Sequence, residues 1–290
     1  MEHAIAKADI LIEALPYIQD FRDAIVVVKF GGSAMEDPRQ VENILADVTF
    51  MECIGMRPVI VHGGGKAISR AMSEAGLVPK FVKGLRVTDD ATIKVVESTI
   101  KNKVNASLLD SLKKRGARAC RIDGNTIFEV EKRVEKDPVT GESSDWGYVG
   151  DIRHVHILHL LECFKTETIP VVTPLGRGPD GHLYNLNADD AAAAVARELK
   201  ARKLAFLSDV PGLLRDRNDA STLFSTLRIK EVEELIKTGV IDGGMLPKIR
   251  SCVEALEAGV RKIHIIDGRL PHSLLLEIFT DKGVGTEITE

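Results

Sequence analysis

The sequence predicts an α/β fold, a three-layer αβα sandwich around a mainly parallel central sheet. Three observations predict it. Short apolar runs rich in β-branched residues alternate with segments whose apolar residues recur at helical spacing. Several of those runs end directly in glycine turns that open a helix, as strands of a parallel sheet do. The chain is 290 residues long, enough for one large domain or two modest lobes.

Taken in order, residues 3–18 read as a helix, with Ala4, Ala8, Leu11, Leu15 and Ile18 on one stripe and Pro16 expected to kink or end it. That stripe needs a partner, either the body of this chain or another subunit. Ala24–Phe30 is a strand running into Gly31-Gly32. Asp37-Pro38 pairs an N-cap with proline at the first helical position, and Val41, Ile44, Leu45 and Val48 give the helix an apolar face. Pro58–His62 is a strand that meets Gly63-Gly64-Gly65, and a helix from about Lys66 to Ala75 is closed by Gly76. A long helix from Asp90 to about Lys114 takes Thr88 or Asp89 as its cap. Ala117–Asp123 and Thr126–Val134 alternate as strands, while Lys136–Gly150, rich in Asp, Gly and Ser, reads as a hairpin or loop. A helix at Ile157–Lys165 leads to strand Ile169–Thr173, a loop at Gly176–Gly181, helix Ala188–Lys200 and strand Lys203–Ser208. Helices near Ile229–Lys237 and Lys248–Ala258, strand Lys262–Ile266 and helix Ser273–Thr280 complete the chain.

The formal net charge is −4, which argues against nucleic acid or an anionic membrane as partner. No apolar run is long enough to span a bilayer. The N-terminus, with Glu2, Asp9 and Glu13, reads as neither a secretory signal nor a transit peptide. Cys53, Cys120, Cys163 and Cys252 lie far apart without CxxC spacing, and read as reduced, mostly buried thiols of a cytoplasmic protein.

Three glycine-containing turns follow strands: Lys29-Phe30-Gly31-Gly32-Ser33, His62-Gly63-Gly64-Gly65-Lys66 and Ser208-Asp209-Val210-Pro211-Gly212. Glycine lets backbone N–H groups come close to a phosphate, and a helix N-terminus adds positive potential. The familiar nucleotide fingerprints do not fit. Ile60 stands where a Walker A motif needs its first glycine, Ala67 follows Lys66, and Ile68 replaces the third glycine of a dinucleotide fingerprint. His154, His156 and His159 cluster without a further ligand set, so no metal site is expected.

The ordered motifs Val28-Lys29-Phe30-Gly31-Gly32-Ser33, Val61-His62-Gly63-Gly64-Gly65, Gly84-Leu85-Arg86-Val87-Thr88, Tyr184-Asn185-Leu186-Asn187-Ala188-Asp189 and Gly243-Gly244-Met245-x-x-Lys248 resemble the amino acid kinase family, within it the branch acting on N-acetylglutamate. The resemblance runs from about Leu15 to the C-terminus. It implies the amino acid kinase fold, ATP taken with Mg²⁺, and transfer of the γ-phosphoryl group to a substrate carboxylate. A carboxylate is ionised at neutral pH, so no general base is needed. The difficulty is repulsion between two anions, which calls for cations and backbone donors at the transferring group.

On the same resemblance, Lys29 and Lys248 flank the transferring phosphoryl group and Asp189 holds both. Gly63, Gly64, Arg86 and Asn185 bind N-acetyl-L-glutamate, with Arg86 on its α-carboxylate. Gly32, Ser208, Asp209, Gly244 and Met245 contact ATP. Residue by residue, plainer readings stay open: Asp189 as a helix-start residue with Asn187 as cap, and Arg86 in an ion pair with Asp89 or Asp90. The implied division is a regulatory helix at 1–20, an amino-acid lobe at 21–200 and a nucleotide lobe at 201–290. The N-terminal helix resembles the extension of arginine-inhibited homohexamers, with Tyr17, His272 and Glu277 as candidate contacts for L-arginine. The alternatives are a sibling kinase for a related acylated amino acid of the aminoadipate type, or a non-catalytic arginine-sensing module.

Overall fold

The computed structural model describes residues 1–136, 143–216, 218–241, 245–280 and 283–290. The chain opens with α1 (Glu2–Phe21), followed by β1 (Ile25–Phe30), α2 (Pro38–Cys53), β2 (Arg57–His62) and α3 (Gly65–Glu74). A small ribbon, β3 (Phe81–Val82) and β4 (Leu85–Arg86), precedes α4 (Asp90–Ser98), which passes through a π-helical segment (Thr99–Asn105) into α5 (Ala106–Lys114). Next come β5 (Ala119–Ile122), the hairpin strands β6 (Phe128–Lys136) and β7 (Ser143–Val155), α6 (Leu158–Lys165), β8 (Ile169–Val172), β9 (Leu175–Arg177), β10 (Leu183–Asn185) and α7 (Ala188–Glu198). The remainder is β11 (Lys203–Ser208), β12 (Thr226–Arg228), α8 (Ile229–Lys237), α9 (Met245–Glu257), β13 (Ile263–Asp267), α10 (Ser273–Phe279) and β14 (Thr286–Thr289).

One eight-stranded sheet runs β12-β14-β13-β11-β1-β2-β8-β5, parallel throughout except where β14 returns antiparallel to β13. Successive strand residues point to opposite faces, and the core sorts accordingly. Val27, Val59, Val61, Leu204 and Phe206 enter one apolar cluster with α6, α7 and α9. Val26, Val28, Phe30, Ile60, Ala205 and Leu207 enter another with α2, α5 and α10. Two buried faces on one sheet make the three-layer sandwich that the sequence predicts. The sheet crosses residue 200 without a break, because β1 pairs with β11.

Two expectations change. Pro16 does not end α1, which continues to Phe21. Its last turn is held by the body of the protein: Phe21 is buried, Arg202 stacks over the Phe21 ring at 4.1 Å, and Tyr17 meets Phe279 at 6.0 Å between centroids. That anchorage outweighs the loss of one helical N–H. Of the two readings of 136–150, hairpin or loop, the hairpin holds: 143–150 is strand paired antiparallel with β6, and β6, β7, β9 and β10 close a small barrel beside the sheet. Gly176 and Arg177 belong to β9. The turn of the β6–β7 hairpin, residues 137–142, lies outside the described residues.

Asp37 caps α2 by accepting the Arg39 N–H at 2.8 Å, Asp89 caps α4 by accepting that of Thr92 at 2.8 Å, and Asn187 caps α7 by accepting that of Asp189 at 2.7 Å. The cysteines are free thiols. Cys163 and Cys252 are buried, Cys53 is exposed, and the Cys120 and Cys163 sulfurs stand 3.1 Å apart. Among the described residues no helix is long and apolar enough to cross a membrane.

Candidate active site

The site forms at the carboxyl ends of β1 and β2, where open parallel sheets take ligands. The glycine turns that follow these strands abut each other. A Cβ on Gly31 would lie 3.5 Å from the Gly63 Cα and 3.0 Å from the Lys29 Nζ, so even alanine would crowd the lysine. A cleft of about 560 Å³ opens here, lined in part by Lys29, Gly32, Gly63, Gly64, Arg86, Asn185 and Asp189.

Lys29 shares the strand face of Val27, so its side chain leaves the sheet on the side covered by α7 and α9. There its Nζ meets Asp189 Oδ1 at 2.8 Å. Lys248, in the first turn of α9, meets Asp189 Oδ2 at 2.8 Å and also lies 5.1 Å from the centre of the Phe206 ring. Burial alone would raise the Asp189 pKa, but Lys29 and then Lys248 overcome it and hold the carboxyl down at about 2. Burial lowers the pKa of Lys29, and Asp189 opposes that shift. Two ammonium groups against one carboxylate leave a net positive charge at the head of the cleft. Asp189 is thus more than a helix-start residue, while Asn187 does cap the helix.

Arg86 comes from β4 and is held beneath the cleft. Its Nη2 donates to the Gly65 carbonyl at 2.9 Å and to Ser69 Oγ at 2.8 Å, and its guanidinium lies 4.7 Å from the centre of the Phe81 ring. Thr88 fixes the segment by bridging to the barrel: its N–H donates to the Trp146 carbonyl at 2.8 Å, and its own carbonyl accepts from Tyr148 N–H at 2.7 Å. An ion pair with Asp89 or Asp90 does not form. Asp89 caps α4, and Asp90 accepts from the Tyr148 hydroxyl at 2.8 Å. Among the described residues no carboxylate pairs with Arg86, which is 6% exposed and whose pKa burial lowers. A buried, unpaired guanidinium calls for an anion.

On the opposite side of the triad, Ser208 ends β11, and Asp209 accepts from Ser33 Oγ at 3.2 Å, tying the first glycine turn to the end of a neighbouring strand. Met245 opens α9, and Gly244 lies outside the described residues. Tyr17 and Glu277 line a separate cavity of about 390 Å³ with Arg202, Lys203 and Lys262. His272 does not line it; its Nδ1 is 2.6 Å from Asp47 Oδ1 on α2. Glu277 accepts from the N–H groups of Val284 at 2.7 Å and Gly285 at 3.1 Å, and lies 2.6 Å from His264 Nδ1.

Sequence reasoning misses two residues under the glycine turns, His62 and Asn105. Both are buried, with Asn105 Nδ2 3.0 Å from His62 Nε2. Neither signals itself in sequence: His62 closes an apolar strand, and Asn105 sits in a helix of mixed polarity.

The chain is similar to known proteins over nearly its whole length. The acetylglutamate kinase of Akkermansia muciniphila is 48% identical over 285 residues, covering 98% of this chain and 96% of its own. That of Heliobacterium modesticaldum is 47% identical over 294 residues, covering 99% of each. Among solved structures, the N-acetylglutamate synthase of Neisseria gonorrhoeae complexed with coenzyme A and N-acetyl-glutamate matches with a TM-score of 0.84 at 28% identity. The match takes in 97% of this chain and 62% of the synthase, so this chain spans less than two thirds of that protein. The carbamate kinase of Giardia lamblia bound to AMP-PNP matches at 0.66 with 14% identity over 92% of this chain and 98% of its own, a likeness of fold. The model of the Amino acid kinase family matches residues 24–267, from the strand that delivers Lys29 to the last inner strand, and the chain belongs to that family.

Proposed function

We propose that this chain is an ATP-dependent kinase that phosphorylates the γ-carboxylate of N-acetyl-L-glutamate, a step of arginine biosynthesis. The observation that carries this reading is the unpaired, buried Arg86 guanidinium in the same cleft as the Lys29–Asp189–Lys248 cluster. One anion-seeking group marks the fixed end of an acidic substrate, and the paired ammonium groups mark its reacting end.

The γ-carboxylate of the substrate attacks the γ-phosphorus of ATP. A carboxyl O–P bond forms, the bond between that phosphorus and the β,γ-bridging oxygen breaks, and ADP leaves with the electron pair. No proton moves, so the cleft needs no base. Lys29 and Lys248 neutralise the charge that spreads over the transferring group, and Gly32 and Gly64 add N–H donors. Asp189 keeps the two lysines converged. Arg86 grips the α-carboxylate and Asn185 faces the acetamido end. Ser208, Asp209, Gly244 and Met245 take the nucleotide. Asp189 is occupied by two lysines and Asp209 by Ser33, which fits Mg²⁺ arriving on the ATP phosphates rather than in a protein cage. The division into a regulatory helix at 1–20, an amino-acid lobe at 21–200 and a nucleotide lobe at 201–290 belongs to the same proposal.

L-Arginine as inhibitor of a homohexamer is proposed with it. Ile5, Ile10, Leu11, Ile12 and Leu15 are exposed along α1, as a helix awaiting another subunit would show. The cavity shared by Tyr17 and Glu277 offers a carboxylate near several cationic side chains, a set that suits a zwitterionic amino acid.

Trapping the acyl phosphate with hydroxylamine tests the function directly. Hydroxamate should form when ATP, Mg²⁺ and N-acetyl-L-glutamate are all present, and should fall when L-arginine is added. Equal yield with the aminoadipate analogue would favour the sibling substrate, and no yield with either would overturn the kinase reading.

A further inference from the structure

The second glycine turn carries a device that the triad does not explain. His62, the last residue of β2, is fully buried, and its Nδ1 stands 2.8 Å from the carbonyl oxygen of Gly63. A carbonyl can only accept, so Nδ1 must carry the hydrogen. Nε2 is then an acceptor, and the Asn105 amide nitrogen, which can only donate, lies 3.0 Å from it. The same amide nitrogen donates to the Val171 carbonyl at 3.0 Å, which fixes the amide's orientation independently of the histidine. Every hydrogen in the chain Val171–Asn105–His62–Gly63 therefore has one consistent position.

The peptide that follows is trans. In a trans peptide the C=O and N–H point in opposite directions. Drawing the Gly63 carbonyl inward to the buried imidazole turns the Gly64 N–H outward, and Gly63 and Gly64 both line the cleft. The Gly64 N–H has no acceptor among the described residues, so it is free for a ligand.

The π-helical segment supplies the second half of the arrangement. Its i→i+5 bonding places residues five apart on one face. Ile100 and Asn105 are such a pair. The Ile100 Cδ1 would lie 2.5 Å from a Cβ on Gly64, so Ile100 supports the turn while Asn105 reaches the histidine beneath it. A regular α-helix would rotate Asn105 away from that face.

We propose that His62 and Asn105 form a positioning relay that holds the Gly63–Gly64 peptide with its N–H aimed at the transferring phosphoryl group. The relay rests on the kinase reading given above, and neither residue touches substrate. Burial also keeps the imidazole neutral, with its pKa drawn down to about 4, so the relay keeps one tautomer across the neutral range.

The test has two arms. In the wild-type protein, ¹⁵N-resolved NMR of the imidazole should show His62 as the neutral Nδ1–H tautomer, unchanged from pH 6 to 9. In kinetics, His62→Leu should lower kcat by at least about tenfold, a fraction of what loss of a whole donor costs, with KM for both substrates within about twofold. His62→Asn, which keeps a donor near the Nδ1 position, should recover most of that loss. An Nε2–H tautomer, an unchanged kcat in His62→Leu, or a His62→Asn variant as slow as His62→Leu would each overturn the relay. The NMR arm does not depend on the variants folding. Wild-type protein that forms no hydroxamate would sink the kinase reading and with it the relay's purpose, while the tautomer measurement still reads the hydrogen-bond chain by itself.

Discussion

Lys29 and Lys248 each end 2.8 Å from a different oxygen of Asp189, although the two lysines stand 219 positions apart in sequence. One carboxylate thus sets the spacing of two cations that would otherwise repel. Removing one ammonium should leave binding largely intact and slow the chemistry. Lys29→Ala is expected to reduce kcat by about 10²- to 10³-fold, the scale for losing one stabilising group at developing charge. Steady-state kinetics with saturating ATP and acetylglutamate read this, and equal turnover would remove Lys29 from the phosphoryl site.

Asp189 should show itself in acid. Its carboxyl titrates near 3.8 when unperturbed and at about 2 in the fold. A depressed folded pKa gives stability that is fully present above the unfolded value and disappears as pH falls through the folded one. The window is therefore pH 4 to 2. The shift corresponds to about 2 kcal/mol. Lys29 is shifted unfavourably by burial, but it does not titrate in acid, so the carboxylate alone governs this limb. Urea unfolding of Asp189→Asn should show a loss near neutral pH and a shallower decline between pH 4 and 2 than wild type. Parallel declines would contradict the ion-pair geometry.

Arg86→Ala should raise KM for acetylglutamate by about 10- to 100-fold, from a charged hydrogen-bond pair worth roughly 1.5–3 kcal/mol. KM for ATP should stay within about twofold, since Arg86 contacts Gly65, Ser69 and Phe81 and no residue assigned to the nucleotide. A rise confined to ATP would place the substrates the other way round.

How much of this was readable from residues alone varies with the kind of signal. The inner strands are legible because full burial selects long apolar runs, so Lys203–Ser208 matches residue for residue. Lys29 is legible as a charge at the end of such a run. Asp189 and Lys248 are not, because nothing local in either helix says that they meet. They emerge from the family resemblance and then from the fold. The barrel is hidden because β6 and β7 are half exposed, and their polar, glycine-bearing alternation also describes a loop. The His62–Asn105 pair is hidden for the opposite reason: two buried polar residues 43 positions apart meet through one hydrogen bond and leave no pattern.

The exposed face of α1 offers a test by assembly. Leu11→Asp with Leu15→Asp puts charge on the stripe formed by residues that are 66% and 43% exposed, away from the anchored last turn. The double variant should sediment as a smaller species than wild type, keep its kcat, and respond less to L-arginine. Unchanged sedimentation and unchanged inhibition would mean that the stripe joins no subunits.

Gly64 and Ile100 give a prediction in which one substitution should repair another. A Cβ at position 64 would sit 2.5 Å from Ile100 Cδ1, well inside any permitted contact, and the next nearest atoms, on Val104 and Ile100, are side-chain atoms at 3.6 and 3.8 Å. The obstacle is thus a side-chain tip. Gly64→Ala must push the turn away from the π-helical segment or force Ile100 from its rotamer, at a cost of about 1–3 kcal/mol. If the turn moves, the Gly64 N–H moves with it and kcat falls. Adding Ile100→Ala opens the space that the new methyl needs, so the double variant should be faster than Gly64→Ala alone, although Ile100→Ala by itself removes buried contacts and lowers stability. A double-mutant cycle on kcat measures this coupling. Strictly additive losses would mean that Ile100 does not support the turn, and that the π-helical segment has no hold on the geometry of phosphoryl transfer.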